Sequence, residues 1–317
     1  MINTLKQFYF LFFLFIYACQ SSTYNDKAIA FFKKGNEELK RKNWDLALRY
    51  YTSGIQMDST LPDLFNNRGI VYFNLGDYGQ AVKDYSIATE LKKGYADAFF
   101  NRANAFFELR EFKKAILDLD STAKYYPDSS NVYFARARAK MQTTDFQGAK
   151  DDLDKVIQLK PNFADAYDSR GYQKLLLDDL VGAEADLKKA IQLNPAQHLA
   201  YANLGLLRIE QNKRQEALEY LNKALELNPY DTHALNQRAY LYILENQIDK
   251  AKLDEQKSQK IENTWQKNPE AFLVEIFLNL KNTNPNDDKK AYFSIQKMNP
   301  VIVKGKKVFL ENLLNKK

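Results

Sequence analysis

The 317-residue chain has a single cysteine, Cys19, so no internal disulfide can hold it together. Histidine is almost as scarce: His198 and His233 are the only two, and neither belongs to a cluster with metal-ligand spacing. With 8 prolines and 11 glycines there is no room for collagen-like or long low-complexity tracts. No Gly-rich phosphate loop, nucleophile elbow or zinc-protease helix is present. The carboxylate runs Asp151-Asp152-Asp154 and Asp178-Asp179 follow the helix surface and read as solvated. Charge of one sign is missing too, because residues 1–280 carry 37 basic and 37 acidic side chains. The net +6 belongs to residues 281–317, where nine lysines face three acids. These absences point away from an enzyme, a metal and a cofactor, and toward a chain that offers a surface.

The first residues differ in kind from the rest. Lys6 precedes an uninterrupted apolar run, Phe8–Ile16, too short to span a bilayer but suited to an export signal. It ends in Ile16-Tyr17-Ala18-Cys19, which resembles a bacterial lipobox apart from the large Tyr17. The resemblance implies a signal peptide over residues 1–18 and lipidation at Cys19; the alternative is an ordinary signal whose cysteine is incidental. Residues 19–27 then read as a polar tether. Gln20 is not the aspartate that retains lipoproteins at the inner membrane of enteric bacteria, so the expected location is the outer membrane, facing the periplasm. The basic tail reads as a solvated surface, with acidic lipid or nucleic acid as the alternatives, and the export signal argues against nucleic acid.

From residue 28 a period of 34 takes over. Ala47, Ala81, Ala115, Ala149, Ala183, Ala217 and Ala251 recur at that interval. Twelve residues before each stands Gly35, Gly69, Ala103, Ala137, Gly171, Gly205 or Ala239. Small residues at two fixed points of a repeat mean two helices in close contact at the same place each time. The units are 28–61, 62–95, 96–129, 130–163, 164–197, 198–231 and 232–265, with Pro127, Pro161, Pro195 and Pro229 closing four of them. A second regularity is arginine at the seventh position (Arg68, Arg102, Arg136, Arg170, Arg238) wherever aspartate holds the twenty-third (Asp84, Asp118, Asp152, Asp186, Asp254). Units one and six lack both. In an antiparallel hairpin these positions face each other, which predicts an Arg–Asp pair inside five hairpins, worth under ~1 kcal/mol each if partly exposed.

The pattern resembles the tetratricopeptide repeat. In the second unit it is carried by Phe65, Gly69, Tyr72, Ala81, Tyr85 and Ala88, and in the fifth by Tyr167, Gly171, Ala183, Leu187, Ala190 and Pro195. It spans residues 28–265, about three quarters of the chain. The resemblance implies an all-α fold, a right-handed superhelical solenoid of about seven antiparallel helix pairs. Residues 266–317 are expected to be a helical capping segment with a basic tail: Asn268-Pro269 opens a helix through Phe272–Leu278, and another covers Lys307–Leu314. Tyr292 and Pro300 would fit an eighth unit starting at 269, but Ile276 and Asp288 break its two small positions.

In this family the second, fifth, sixth and ninth positions of each first helix point into a concave groove. Here they include Asn66, Asn67, Phe100, Asn101, Asn104, Phe134, Arg138, Tyr172, Asn203, Asn236, Gln237 and Tyr240. Amides present a donor and an acceptor together and so suit a peptide backbone; the other reading is that they satisfy polarity within the hairpins. The lysines of a chaperone-tail clamp are missing, with Phe32, Asp97 and Asn101 in their places. The expected function is a lipid-anchored scaffold that binds a protein or peptide partner in its groove, as an accessory of an envelope assembly or secretion machine. The alternative is a regulatory or tethering arm of an enzyme complex.

Overall fold

The structure, a computed structural model, describes residues 25–267. Residues 1–24, with Cys19 and the expected signal, lie outside it, as does the expected cap beyond 267. The described residues are all-α. Helix α1 covers residues 25–40, so the last three positions of the expected tether are already helical. There follow α2 (Trp44–Met57), α3 (Pro62–Leu75), α4 (Tyr78–Leu91), α5 (Ala96–Glu108) and α6 (Phe112–Tyr125). The chain divides into two compact units after Tyr125. The second contains α7 (Ser130–Gln142), α8 (Phe146–Leu159), α9 (Ala164–Leu176), α10 (Leu180–Leu193), α11 (His198–Glu210), α12 (Arg214–Leu227), α13 (Thr232–Leu244) and α14 (Ile248–Lys267). From α3 to α13, first helices begin at 62, 96, 130, 164, 198 and 232, the starts of the 34-residue units.

Within each unit a helix packs against its neighbour in sequence, and first helices also lie side by side: α3 with α5, and α9 with α11 and α11 with α13. Close approach inside a hairpin is why the eighth and twentieth positions are small. The six alanines from Ala47 to Ala217 are fully buried and Ala251 is 2% exposed. The side chain at position twenty-four lies over position eight. A β-carbon on Gly69 would stand 2.7 Å from the Tyr85 ring, and one on Gly205 would stand 2.6 Å from Leu221.

The turn between the two helices has one requirement that composition hides. Its fifteenth position is left-handed in every unit: Lys42, Arg110, Thr144, Asp178, Asn212 and Asn246 have φ of 56–63°, and Gly76 has 84°. A non-glycine residue there costs ~1–2 kcal/mol, which the helix contacts on either side must offset. The second helix of the hairpin is often capped by an aspartate: Asp77, Asp145 and Asp179 accept from the backbone N–H groups of Gln80, Gly148 and Gly182. Gln173 is a local mismatch. Its tenth position is apolar and buried in its neighbours (Val71, Ala105, Ala139, Leu207, Leu241), and its own amide is fully buried with no partner among the described residues. Such a group costs ~1–3 kcal/mol.

All five Arg–Asp pairs are present inside their hairpins. Each is a two-pronged fork, Nε and Nη2 to the two carboxylate oxygens, at 2.5–2.9 Å. Two features were not expected. The third nitrogen, Nη1, reaches back to the preceding repeat: Arg68 to Thr52, Arg102 to Ser86 and Thr89, Arg170 to Asp154 and Arg238 to Asn222. And the aspartate side chains are only 5–8% exposed, so the pairs are not weak surface bridges. In the second and third units aromatic rings at the fourth and eleventh positions flank the guanidinium, Phe65 and Tyr72 around Arg68 and Phe99 and Phe106 around Arg102.

Breaking such a fork strands a buried carboxylate. Arg102→Met should therefore destabilise the protein by ~3–5 kcal/mol, and adding Asp118→Leu should recover most of that loss. Denaturant unfolding of wild type, both single variants and the double variant measures it. A double variant no more stable than Arg102→Met would show that the fork is not the interaction lost.

Candidate functional site

In the first unit the predicted amides form a connected ladder on the face of α1, α3 and α5. Asn101 donates Nδ2–H to Asn66 Oδ1 at 3.0 Å, Asn66 donates to Asn67 Oδ1 at 3.0 Å, and Asn67 donates to Asn36 Oδ1 at 2.8 Å. Asn36 Oδ1 also accepts from the Tyr51 hydroxyl at 2.8 Å. Burial pushes that phenol up to about 12, so it stays a donor across the physiological range. Asn66 is buried, while Asn67, Phe100, Asn101 and Asn104 are half-buried along the same face. Asn104 turns its amide back onto the Phe100 carbonyl at 3.0 Å. Each ladder bond uses one of two N–H groups on a nitrogen, so an N–H remains on Asn67 and Asn101, and Asn101 Oδ1 still has room to accept. Asp63, one turn before this run on α3, accepts from the Tyr95 hydroxyl.

The second unit treats its predicted residues differently. Asn203 on α11 is 6% exposed and gives its Nδ2–H to Asp168 Oδ1 on α9 at 2.9 Å, so its amide is committed to a contact between repeats. Gln237 on α13 is 8% exposed, with its amide 2.7 Å from His233 Nε2. The His233 ring meets the Tyr172 ring edge to face at 6.2 Å, which links α13 to α9. Phe134 packs against Phe163 at 4.9 Å, and Arg138 is half-buried. Asn236 and Tyr240 are exposed. The His198 side chain is 13% exposed and lies 2.7 Å from Asp231, the residue that caps α13. Among the described residues no group of three His, Cys, Asp or Glu could hold a metal ion. None of the described helices is long and apolar enough to cross a membrane.

Sequence reasoning missed Asn36 as the end of the ladder, and Asp168 and His233 as partners of predicted residues. Asp168 and His233 occupy inward positions, the fifth and the second, and attention to amides and rings alone passed over them.

Three stretches, 97–129, 130–163 and 198–231, match models of the tetratricopeptide repeat, and residues 71–110 match a TPR repeat model. The chain carries tetratricopeptide repeats. Two of the matched stretches coincide with the fourth and sixth TPR units. No curated protein matches by sequence. Among solved structures, a TPR protein from Parabacteroides merdae is 16% identical over 74% of this chain and 93% of its own, with a TM-score of 0.63. Pseudomonas aeruginosa pilF is 17% identical over 69% and 99%, with a TM-score of 0.57. YrrB, described as a TPR protein with an unusual peptide-binding site, is 19% identical over 59% and 97%, with a TM-score of 0.52. At these identities the likeness establishes the TPR fold.

Asp168 generates a pH-dependent expectation. Burial, reinforced by the charge of Asp165, pushes its carboxyl up to about 6, against the hydrogen bond from Asn203. An acid whose folded pKa lies above its unfolded value holds its proton more tightly when folded. It therefore penalises the fold above about pH 6, and the penalty fades as pH falls toward 4. Asp168→Asn keeps the acceptor for Asn203 and should stabilise the protein by on the order of 2–3 kcal/mol at pH 7.5 and by only about 1 kcal/mol at pH 4.5. Melting curves of both proteins at the two pH values test this; an equal effect at both would remove Asp168 ionisation as the cause.

Proposed function

We propose that this chain is a TPR adaptor that holds an extended segment of a partner protein against the first helices of its N-terminal unit, and that a lipid on Cys19 anchors it to a membrane. The observation that carries the binding reading is the ladder Asn101–Asn66–Asn67–Asn36, whose spare N–H groups and Asn101 Oδ1 stand on one face. An extended backbone offers alternating C=O and N–H groups and matches such a row without requiring a particular side chain. Phe100 beside it adds apolar contact. The peptide-binding site that the description of YrrB names gives the reading a precedent on the same fold. A role in envelope assembly or secretion rests on the export signal and on fold-level analogy.

A photo-crosslinking amino acid at Phe100, in cells that make the protein, should trap a discrete partner, whereas one at Leu117 on α6, 65% exposed, should not. Asn67→Ala with Asn101→Ala should then weaken capture by ~1–3 kcal/mol, roughly 5- to 150-fold. Equal trapping from Leu117, or full capture by the folded double variant, would move the site off this face.

The anchor has its own test. Metabolic labelling with a clickable fatty acid should mark the wild-type chain and leave Cys19→Ser unlabelled and unprocessed. Equal label on both would end the lipoprotein reading.

A further inference from the structure

Helix α1, the first described helix, is not built to take another repeat on its outer side. In the two first helices that follow, the third and tenth positions pack on the preceding repeat, and Leu64, Val71, Ala98 and Ala105 are fully buried there. Their equivalents on α1 are Ala30 and Glu37, both exposed. The charge pair is altered as well. Tyr50 stands where five later repeats have aspartate, and Lys34 stands at the arginine position. The Lys34 ammonium therefore meets a ring, 5.9 Å from the Tyr50 centroid, and Phe31 stacks on the same ring at 6.4 Å.

This face carries a row of cations instead. Lys27, Lys34 and Arg41 are seven residues apart and all exposed, so they follow one stripe of the helix. Arg41 comes directly after α1, but its N–H still bonds the Glu37 carbonyl at 3.1 Å and continues the helical turn. The nearby acids do not cancel the row. Glu38 is 9% exposed and held by Arg41 and Asn43, which leaves Asp26 and Glu37 as the exposed carboxylates of α1. Residues 25–42 hold six basic side chains against three acidic ones, whereas residues 43–267 hold 30 against 32. The positive excess of the described chain belongs to its first helix and turn.

Place in the chain says what such a face meets. Six residues, 19–24, separate Cys19 from α1, a reach of at most about 20 Å. A lipid on Cys19 therefore holds α1 beside the headgroups. Lysine and arginine are attracted to an anionic bilayer within a Debye length, and tyrosine rings favour the interface. Two copies of a cationic stripe repel each other, which disfavours a dimer through this face.

We infer that the outer face of α1, with Lys27, Lys34 and Arg41 around the Phe31–Tyr50 pair, lies on the anionic phospholipid surface to which the chain is anchored. The inference rests on the lipid at Cys19. Asn36 is two residues on from Lys34, roughly 160° round the helix, so this contact leaves the amide ladder open to a partner.

The test uses the lipid-modified full chain, purified in detergent and floated with vesicles of phosphatidylcholine alone or with about one third phosphatidylglycerol. Lipidation consumes the Cys19 thiol, so Ala30→Cys supplies a single site for a fluorophore that spin-labelled lipid quenches. Quenching should be about threefold greater on the anionic vesicles and should be lost near 1 M salt, where the Debye length is ~3 Å. It should also fall back when Lys27→Gln, Lys34→Gln and Arg41→Gln are combined. A label at Leu117→Cys on α6, 65% exposed, should show none of this dependence. Equal quenching on the two compositions, or quenching unchanged in the folded triple variant, would overturn the docking face and leave the anchor standing. Failure of the anchor reads differently, because an unmodified Cys19 takes the label in the parent chain. If that chain floats only with anionic vesicles, and not as the triple variant, the face is supported without the anchor. Flotation with both compositions alike, or with neither, would overturn both.

Discussion

Everything in this protein depends on how closely two helices approach within a hairpin. Alanine at the twentieth position and glycine or alanine at the eighth remove the side chains that would hold the helices apart, and in the first six repeats a ring or leucine from position twenty-four fills the remaining gap. That contact sets the hairpin angle, and the angle decides which residues meet around it. Arginine at position seven and aspartate at twenty-three come within fork distance because they flank the contact. A one-residue error in either helix would turn its side chain by about 100° and misplace the pair, and the 34-residue phase of the helix starts leaves no such error.

The charges add direction. Each guanidinium has two nitrogens on its own hairpin, and those of Arg68, Arg102, Arg170 and Arg238 place a third on the preceding one, so that they fix the internal angle and the stacking together. A buried fork of this kind contributes geometry more surely than net stability. The sixth unit shows what happens without it. Leu204 and Tyr220 replace the pair, and Arg208, four positions further along α11, bonds Glu184 of the preceding repeat at 2.8 and 3.0 Å and Glu216 of its own at 2.7 Å. The link between repeats is kept by different residues. In the fourth and fifth units a lysine at that eleventh position joins the aspartate alongside the arginine, Lys140 to Asp152 and Lys174 to Asp186, both at 2.9 Å.

The frame was legible because it is written in residue size. A chain that must repeat one close contact has few choices at positions eight and twenty, so Ala47 to Ala251 announce both the helices and their pairing. The internal Arg–Asp forks were legible for the same reason, since both partners lie in one hairpin of known geometry. What crosses from repeat to repeat was not. The reach of Arg170 to Asp154, or of Asn203 to Asp168, depends on the rotation between hairpins, which the period does not encode. The left-handed turn was equally silent, because Lys42, Arg110 and Thr144 carry none of the glycine signal that Gly76 gives. Gln173 broke the apolar pattern without any sign that its amide would lack a partner.

The amides required more than position. Sequence placed Asn66, Asn67, Asn101 and Asn203 alike, on the inward side of first helices, and left open whether they serve a ligand or the hairpins. The structure separates them by what faces them. Asn203 meets a buried carboxylate that would be costly to leave bare, so its donor is spent within the fold. The N-terminal amides meet one another, and an amide–amide bond leaves half of each group's capacity unused. Such a row is held in place by its own members and yet remains able to bond outward. A preordered face loses little side-chain entropy when a segment settles on it, which is where a shallow, mostly polar surface must find its affinity. That is the physical reason to look for a ligand on α1, α3 and α5 rather than at the more enclosed polar contacts of α9, α11 and α13.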